Sequence, residues 1–324
     1  MIKGHGNDIY CYPEGVKMDF SSNICPHVSH HALMTHLAAC GEKLLTHYPE
    51  PEAWSLEEML AERLKISPRS VIVTNGATEA IYLIARTFGY CPHILTPAFQ
   101  EYEDAYAHIS STHPEKTILW LCNPNNPTGK VYEQESIEKF CHQYDFVVID
   151  QSYEHYTEKF VIPPRRMKMM NVIQLHSMTK TYAVPGLRLG YITAPVQLAN
   201  CIRRHMHPWS VNAFAIEAGK FLLTHDDELH VCPDFNEVQR LWKALDSISE
   251  LELLPTDTNF MLCCIKSDAT AAELKAYLVK EHGILIRDAS NFRGLTRHHF
   301  RVATQSPEEN DALVAAITQF LQQR

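Results

Sequence analysis

The sequence predicts an α/β fold with a mainly parallel sheet, followed by a smaller α+β domain. Three observations carry this. Between Val71 and Thr193 short apolar runs alternate with helix-period stretches. Each run ends at a polar or Pro/Gly turn. After about Arg203 the alternation gives way to longer helices and a few isolated apolar runs.

Taken in order, VIVT (71–74) reads as a strand entering the turn NGAT (75–78), with the helix EAIYLIART (79–87) behind it. HILT (93–96), TILWLC (117–122), FVVID (146–150) and VIQLHS (172–177) read as further buried strands. ESIEKFCHQY (135–144) has the period of a covering helix. Past Arg203, HPWSVNAFAIEAGKFLLTH reads as a long helix, NFMLCCI (259–265) as a strand and ATAAELKAYLVKE (269–281) as a helix; GILIRD, HHFRVAT and a terminal helix after Pro307 follow. The expected division is an N-terminal segment, 1–45, that joins the small domain or an interface, a large domain over 46–203, and a small domain over 204–324.

Composition narrows the function. The chain has 324 residues, enough for two cores, with 45% hydrophobic and 21% charged residues. Its 29 basic and 38 acidic residues give a net charge of -9, which argues against nucleic acid or an anionic membrane as partner. A small anionic substrate remains compatible, because a few arginines in a cleft outweigh the global charge locally. The ten cysteines form no CxxC pair, and no signal-peptide pattern opens at Met1, so reduced thiols in the cytoplasm are expected. Nineteen histidines include the pairs His27/His31, His205/His207 and His298/His299; without an HExxH or Cys/His set they read as solvated surface, and no metal is expected.

The chemistry concentrates just after the predicted strands, where open α/β sheets bind ligands. HSMTKTYAVPGLRLGY (176–191) holds Ser177, Lys180 and Arg188. A lysine amine can form a Schiff base with an aldehyde, and the hydroxyl and guanidinium can bind a phosphate on the same cofactor. NGATEA offers backbone N–H groups of Gly76, Ala77 and Thr78 at a helix N-terminus, a place for phosphate, although an ordinary helix cap explains it as well. Phe99 in TPAFQEYE has a ring able to stack on a pyridine, although taken alone a core phenylalanine explains it better. CNPNNPTGK (122–130) is a rigid loop from which Asn126 can donate to a ring oxygen. Asp150 ends a buried run and needs a partner, which a protonated pyridine nitrogen would supply, a helix N-cap being the common alternative. Tyr153 could reach the ring oxygen. Arg301 in FRVAT is suited to a substrate carboxylate, and ILIRDASNFRGL adds Arg287 and Arg293; for any one of these, a surface salt bridge is the alternative.

Together these residues resemble the fold-type-I pyridoxal phosphate enzymes of the class I/II aminotransferase family. Tyr48-Pro49, NGATEA, PAFQEY, NPNNPTG, DQSY, SMTKTYAVPGLRLGY and FRVA run through most of the chain in family order. The resemblance implies a seven-stranded, mainly parallel sheet flanked by helices, pyridoxal phosphate as cofactor, and a homodimer. By it, Lys180 is similar to the lysine that carries the cofactor, and Ser177, Arg188, Gly76, Ala77 and Thr78 to the phosphate cup. Phe99 resembles the stacking aromatic, Asp150 the partner of the ring nitrogen, and Asn126 and Tyr153 the ring-oxygen ligands. Arg301 resembles the carboxylate arginine, and Tyr48 a tyrosine that reaches the neighbouring subunit's phosphate.

Within the family, two branches are nearest: threonine-phosphate decarboxylases of cobalamin synthesis and histidinol-phosphate aminotransferases. KGHGND, MDFSSNICP and IRDASNFRGL look like the decarboxylase branch, as does the fourteen-residue step from Arg287 to Arg301. This implies that His5, Gly6, Asn23, Asn126, Arg287 and Arg301 surround a phosphorylated amino acid. The chain departs from the pattern in being a few tens of residues short, in having Asn7 for a second glycine, and in having Cys25 where a polar residue is usual. Three readings follow: O-phospho-threonine decarboxylase, an aminotransferase of the histidinol-phosphate type, and a non-catalytic cofactor-binding module. The first two differ only in which Cα bond stands perpendicular to the cofactor ring, with Lys180 as the general base if that bond is Cα–H.

Overall fold

The computed structural model describes residues 6–13, 15–111 and 113–323. A two-residue strand, Met18–Asp19 (β1), comes first. Six strands then build the main sheet: Val71–Thr74 (β2), Tyr90–Ile94 (β3), His113–Cys122 (β4), Phe146–Asp150 (β5), Val172–His176 (β6) and Gly190–Thr193 (β7). A second group follows: Leu251–Leu253 (β8), Phe260–Ile265 (β9), Ile284–Leu285 (β10), Arg287–Asp288 (β11) and His299–Ala303 (β12).

The main sheet has the order β2-β7-β6-β5-β4-β3. Its β3 to β6 neighbours pair in parallel, and β7 runs antiparallel to both β6 and β2. Strands β2, β5 and β6 are buried along almost their whole length, which is why VIVT, FVVID and VIQLH read as continuous apolar runs. The described residues hold six strands in this sheet, one fewer than the seven expected. Between the helix Glu101–Asp104 and β4, residues 105–111 are turns and coil and pair with no strand of this sheet. β3 is therefore the edge, and it carries Pro92, which lacks the N–H that an interior strand must donate.

Side-chain packing redraws the expected boundary at 203/204. The predicted long helix begins only at Ala213, after the N-cap Asn212 accepts from the N–H of Ala215, and it ends at Thr224. Its Ala215, Ile216, Ala218 and Leu222 pack with Leu56, Leu60 and Val71, so 211–222 belongs with the large sheet. The small core gathers Val238, Leu241 and Leu245 with Met261, Phe300, Leu313 and Phe320. The first 45 residues also divide. Strand β1 pairs with β10, and Phe20 enters the small core, whereas the helix His31–Thr46 puts Leu33 and Leu37 into the large one. No helix among the described residues is long and apolar enough to cross a membrane.

Candidate active site

The carboxyl ends of β2, β4, β5 and β6 point at one cavity of about 290 Å³, closed from the other side by residues 6–7, 21–24, β11 and β12. It brings together Gly6, Asn23, Ala77, Thr78, Phe99, Asn126, Asp150, Tyr153, Ser177, Lys180, Arg188, Arg287 and Arg301 from across the chain.

The β2 turn and the β6 turn meet. Gly76, at φ +78°, opens the helix Gly76–Phe88, and a Cβ there would come within 2.7 Å of the Arg188 guanidinium. Gly190 is equally constrained, since a Cβ would lie 2.8 Å from the His176 carbonyl oxygen and 2.9 Å from the Ala77 nitrogen. Two glycines thus let the Ala77–Thr78 backbone, Ser177 and Arg188 approach a common point. Gly76 itself sits behind Arg188 and does not line the cavity.

Lys180 lies one turn past Ser177, on the short helix Met178–Thr181. Its ammonium sits 5.7 Å from the Tyr153 ring centroid. Burial, then the Arg301 and Arg188 charges, lower the amine to about 8, with Asp150 and Asp19 opposing. Its backbone is held as well: Tyr156 Oη donates to the Lys180 carbonyl at 2.8 Å and accepts from the Cys25 N–H at 3.2 Å. On the far wall Asp150 is 5% exposed; its Oδ1 accepts from the Ser152 N–H at 2.9 Å, and its Oδ2 accepts from Tyr102 Oη at 2.6 Å.

Arg287 and Arg301 are direct cross-strand partners in the antiparallel β11–β12 pair, both 5% exposed. Like charges in that position repel. Burial, then Arg301, lowers Arg287 to about 9, and burial also lowers Arg301. Arg301 donates to Asn126 Oδ1 and, at 2.7 Å, to the Ser21 carbonyl, while its Nε has no partner among the described residues. Arg287 donates to the Asp288 carbonyl and, at 2.7 Å, to Asn291 Oδ1, and it lies 5.0 Å from the Phe292 ring centroid. A buried guanidinium pair with an unpartnered N–H is a site for anions.

Some expected residues fall elsewhere. Tyr48 is 89% exposed, with its ring 5.7 Å from that of Trp209, and is outside the cavity. Arg293 pairs at the surface with Glu103 at 3.1 Å. His5 lies outside the described residues. The cavity also takes in Ser21, Ser22, Tyr102, Cys122, Thr179 and Phe292, which motif reasoning passed over. Tyr102 was within reach of it, standing one helical turn after Phe99 in the same segment.

The aminotransferase class I and II family profile matches residues 93–317 of this chain. The threonine-phosphate decarboxylase of Salmonella typhimurium is 29% identical over 341 residues, covering 94% of this chain and 91% of that protein. A histidinol-phosphate aminotransferase of Caldanaerobacter subterraneus subsp. tengcongensis is 28% identical, covering 85% of this chain and 84% of the relative. The crystal structure of L-threonine-O-3-phosphate decarboxylase from Porphyromonas gingivalis superposes with a TM-score of 0.87 at 36% identity, over 94% of this chain and 99% of that one.

The cavity's own chemistry agrees with pyridoxal phosphate. Lys180, Arg188, Arg287 and Arg301 line it against the single carboxylate of Asp150, so bound anions would offset the excess cation. The glycine-opened cradle at Arg188 fits a phosphate, the lowered Lys180 amine fits an aldehyde, and Asp150 fits a pyridinium. The chain is an enzyme of the pyridoxal phosphate-dependent aminotransferase class I and II family.

Proposed function

We propose that this enzyme decarboxylates a phosphorylated amino acid, with O-phospho-L-threonine as the best-fitting substrate. The observation that carries the proposal is the Arg287–Arg301 pair, two buried cations facing each other in the cavity that holds Lys180. A substrate with a carboxylate and a phosphate brings an anion for each. The similarity to the Salmonella and Porphyromonas decarboxylases supports the same reading.

When bound, pyridoxal phosphate supplies an aldehyde for the substrate amine and a ring that takes up the electron pair left at the α-carbon. In this proposal Ala77, Thr78, Ser177 and Arg188 hold its phosphate. Phe99 would stack on the ring, Asp150 would pair with the ring nitrogen, and Asn126 and Tyr153 would donate to the ring oxygen. Burial raises the Tyr153 phenol to about 12, so it stays a donor. Arg301, fixed by Asn126 and Ser21, would take the substrate carboxylate. Arg287 takes the substrate phosphate. The Cα–carboxylate bond would break with its electron pair left at the α-carbon, CO₂ would leave, and the Lys180 ammonium would deliver a proton to that carbon. Gly6 and Asn23 close over the substrate, and His5 is proposed beside them.

A homodimer belongs to this reading, with Tyr48 serving the neighbouring cavity. Its near-complete exposure beside Trp209, itself 50% exposed, is what supports that role.

Aminotransfer of the histidinol-phosphate type is the second reading, supported by the similarity to the Caldanaerobacter aminotransferase. Histidinol phosphate has a phosphate and no carboxylate, so only its amino-acceptor partner would use the full arginine pair. The test is a comparison of kcat/KM for O-phospho-L-threonine, L-threonine and, with 2-oxoglutarate present, histidinol phosphate. The proposal expects the first to exceed the other two. Preference for histidinol phosphate with formation of glutamate would replace it by the second reading.

A further inference from the structure

The helical turn after β3 carries two aromatic residues, and only Phe99 has been given a task. Tyr102 follows it by one turn, its N–H donating to the Phe99 carbonyl at 3.3 Å. The two rings meet edge to face, at 6.0 Å and 86°. Tyr102 is fully buried, and its hydroxyl donates to Asp150 Oδ2 at 2.6 Å. A short hydrogen bond to a carboxylate is among the stronger kinds.

The ring has little freedom to move. It stacks on Trp120 at 5.3 Å and 28°, and Trp120 Nε1 in turn donates to Tyr106 Oη at 3.1 Å. Trp120 is also fully buried, near the carboxyl end of β4. The Asp150 carboxylate is therefore gripped from two sides, by the Ser152 N–H on Oδ1 and by this aromatic stack on Oδ2. Each oxygen keeps a lone pair for one further donor. Burial, then the neighbouring Asp150 charge, pushes the Tyr102 phenol well up, so it is a donor at every working pH.

We infer that Tyr102 is a positioning residue that aims the Asp150 carboxylate at the cofactor's ring nitrogen. One turn of chain would then fix the face of the ring through Phe99 and its nitrogen partner through Tyr102. The inference rests on the proposed role of Asp150. It predicts that removing the hydroxyl weakens only those cofactors that offer a nitrogen to Asp150. A net hydrogen bond of about 0.5–1.5 kcal/mol corresponds to roughly 3- to 10-fold in affinity.

The experiment titrates the full-length apoprotein with pyridoxal phosphate and with its deaza analogue, in which carbon replaces the ring nitrogen. Tyr102→Phe keeps the ring and its stack on Trp120. It should raise Kd for pyridoxal phosphate about 3- to 10-fold and leave Kd for the analogue unchanged. Equal loosening of both would mean that Tyr102 only supports the fold. Unchanged or tighter binding of pyridoxal phosphate would overturn the inference outright. Asp150→Ala separates the two levels. If D150A keeps the wild-type preference for pyridoxal phosphate over the analogue, the Asp150 role has failed and the inference with it. If D150A abolishes that preference while Y102F preserves it, only the inference has failed.

Discussion

Arg287→Gln should make the ligand-free protein more stable and the enzyme worse. In the empty cavity Arg287 is a buried cation opposite a second one, and the two push its guanidinium down to about 9. The fall from the ordinary arginine range sets a ceiling of about 5 kcal/mol on the cost of holding that charge. The sign follows from a folded value below the unfolded one. The cost is fully present below about pH 9 and fades as pH rises above it. Against it stand the hydrogen bonds to the Asp288 carbonyl and Asn291 Oδ1, worth about 1–3 kcal/mol together. Glutamine keeps part of these, so a net gain of about 2 kcal/mol is expected, or a few degrees in Tm at neutral pH. The same change removes a charged donor from the substrate phosphate. That costs about 1.5–3 kcal/mol, or roughly 10- to 150-fold in kcat/KM. Calorimetry of the ligand-free protein and parallel kinetics on O-phospho-L-threonine and L-threonine read both effects. Loss on the phosphorylated substrate alone, with a raised Tm, fits the account. Equal loss on both substrates, or a lowered Tm with intact discrimination, would refute the reasoning.

Other consequences are open to measurement. The rate at which apoprotein takes up pyridoxal phosphate should rise about tenfold per pH unit below the Lys180 value of about 8 and level off above it, because only the neutral amine attacks an aldehyde; a flat profile by stopped-flow absorbance would contradict this. Gly76→Ala places a methyl against the Arg188 guanidinium at a positive φ, and should weaken cofactor binding by an order of magnitude or more in equilibrium dialysis. Gly190→Ala meets backbone on both sides, at the His176 carbonyl and the Ala77 nitrogen, and should cost both stability, by about 1–3 kcal/mol in urea denaturation, and cofactor affinity.

The large sheet was legible because β2, β5 and β6 are buried along almost their whole length, so they appear in the sequence as unbroken apolar runs. The cofactor side of the site was legible for a related reason. Asp150, Ser177 and Lys180 each stand at or just past a strand's carboxyl end, where local sequence fixes position. What failed was non-local. The expected seventh strand is missing, since 105–111 are turns and coil and pair with no strand of this sheet. The domain boundary depended on which core the helix Ala213–Thr224 joins, and its Ala215, Ile216, Ala218 and Leu222 pack with the large sheet. Tyr102's bond to Asp150, 48 residues away, has no local signature, and only its place one turn after Phe99 pointed to the site. The pairing of Arg287 with Arg301 was foreshadowed only as a spacing. The antiparallel register turns that spacing into a facing pair of charges.

The central claim is that this cavity breaks the Cα–carboxylate bond of a phosphorylated amino acid. The most direct measurement supplies the pyridoxal phosphate-loaded enzyme with O-phospho-L-threonine labelled in its carboxyl carbon and with no keto acid present. Labelled CO₂ and an amino-propanol phosphate are expected in equal amounts over many turnovers. Retention of the label, with turnover appearing only once a keto acid is added, would contradict it.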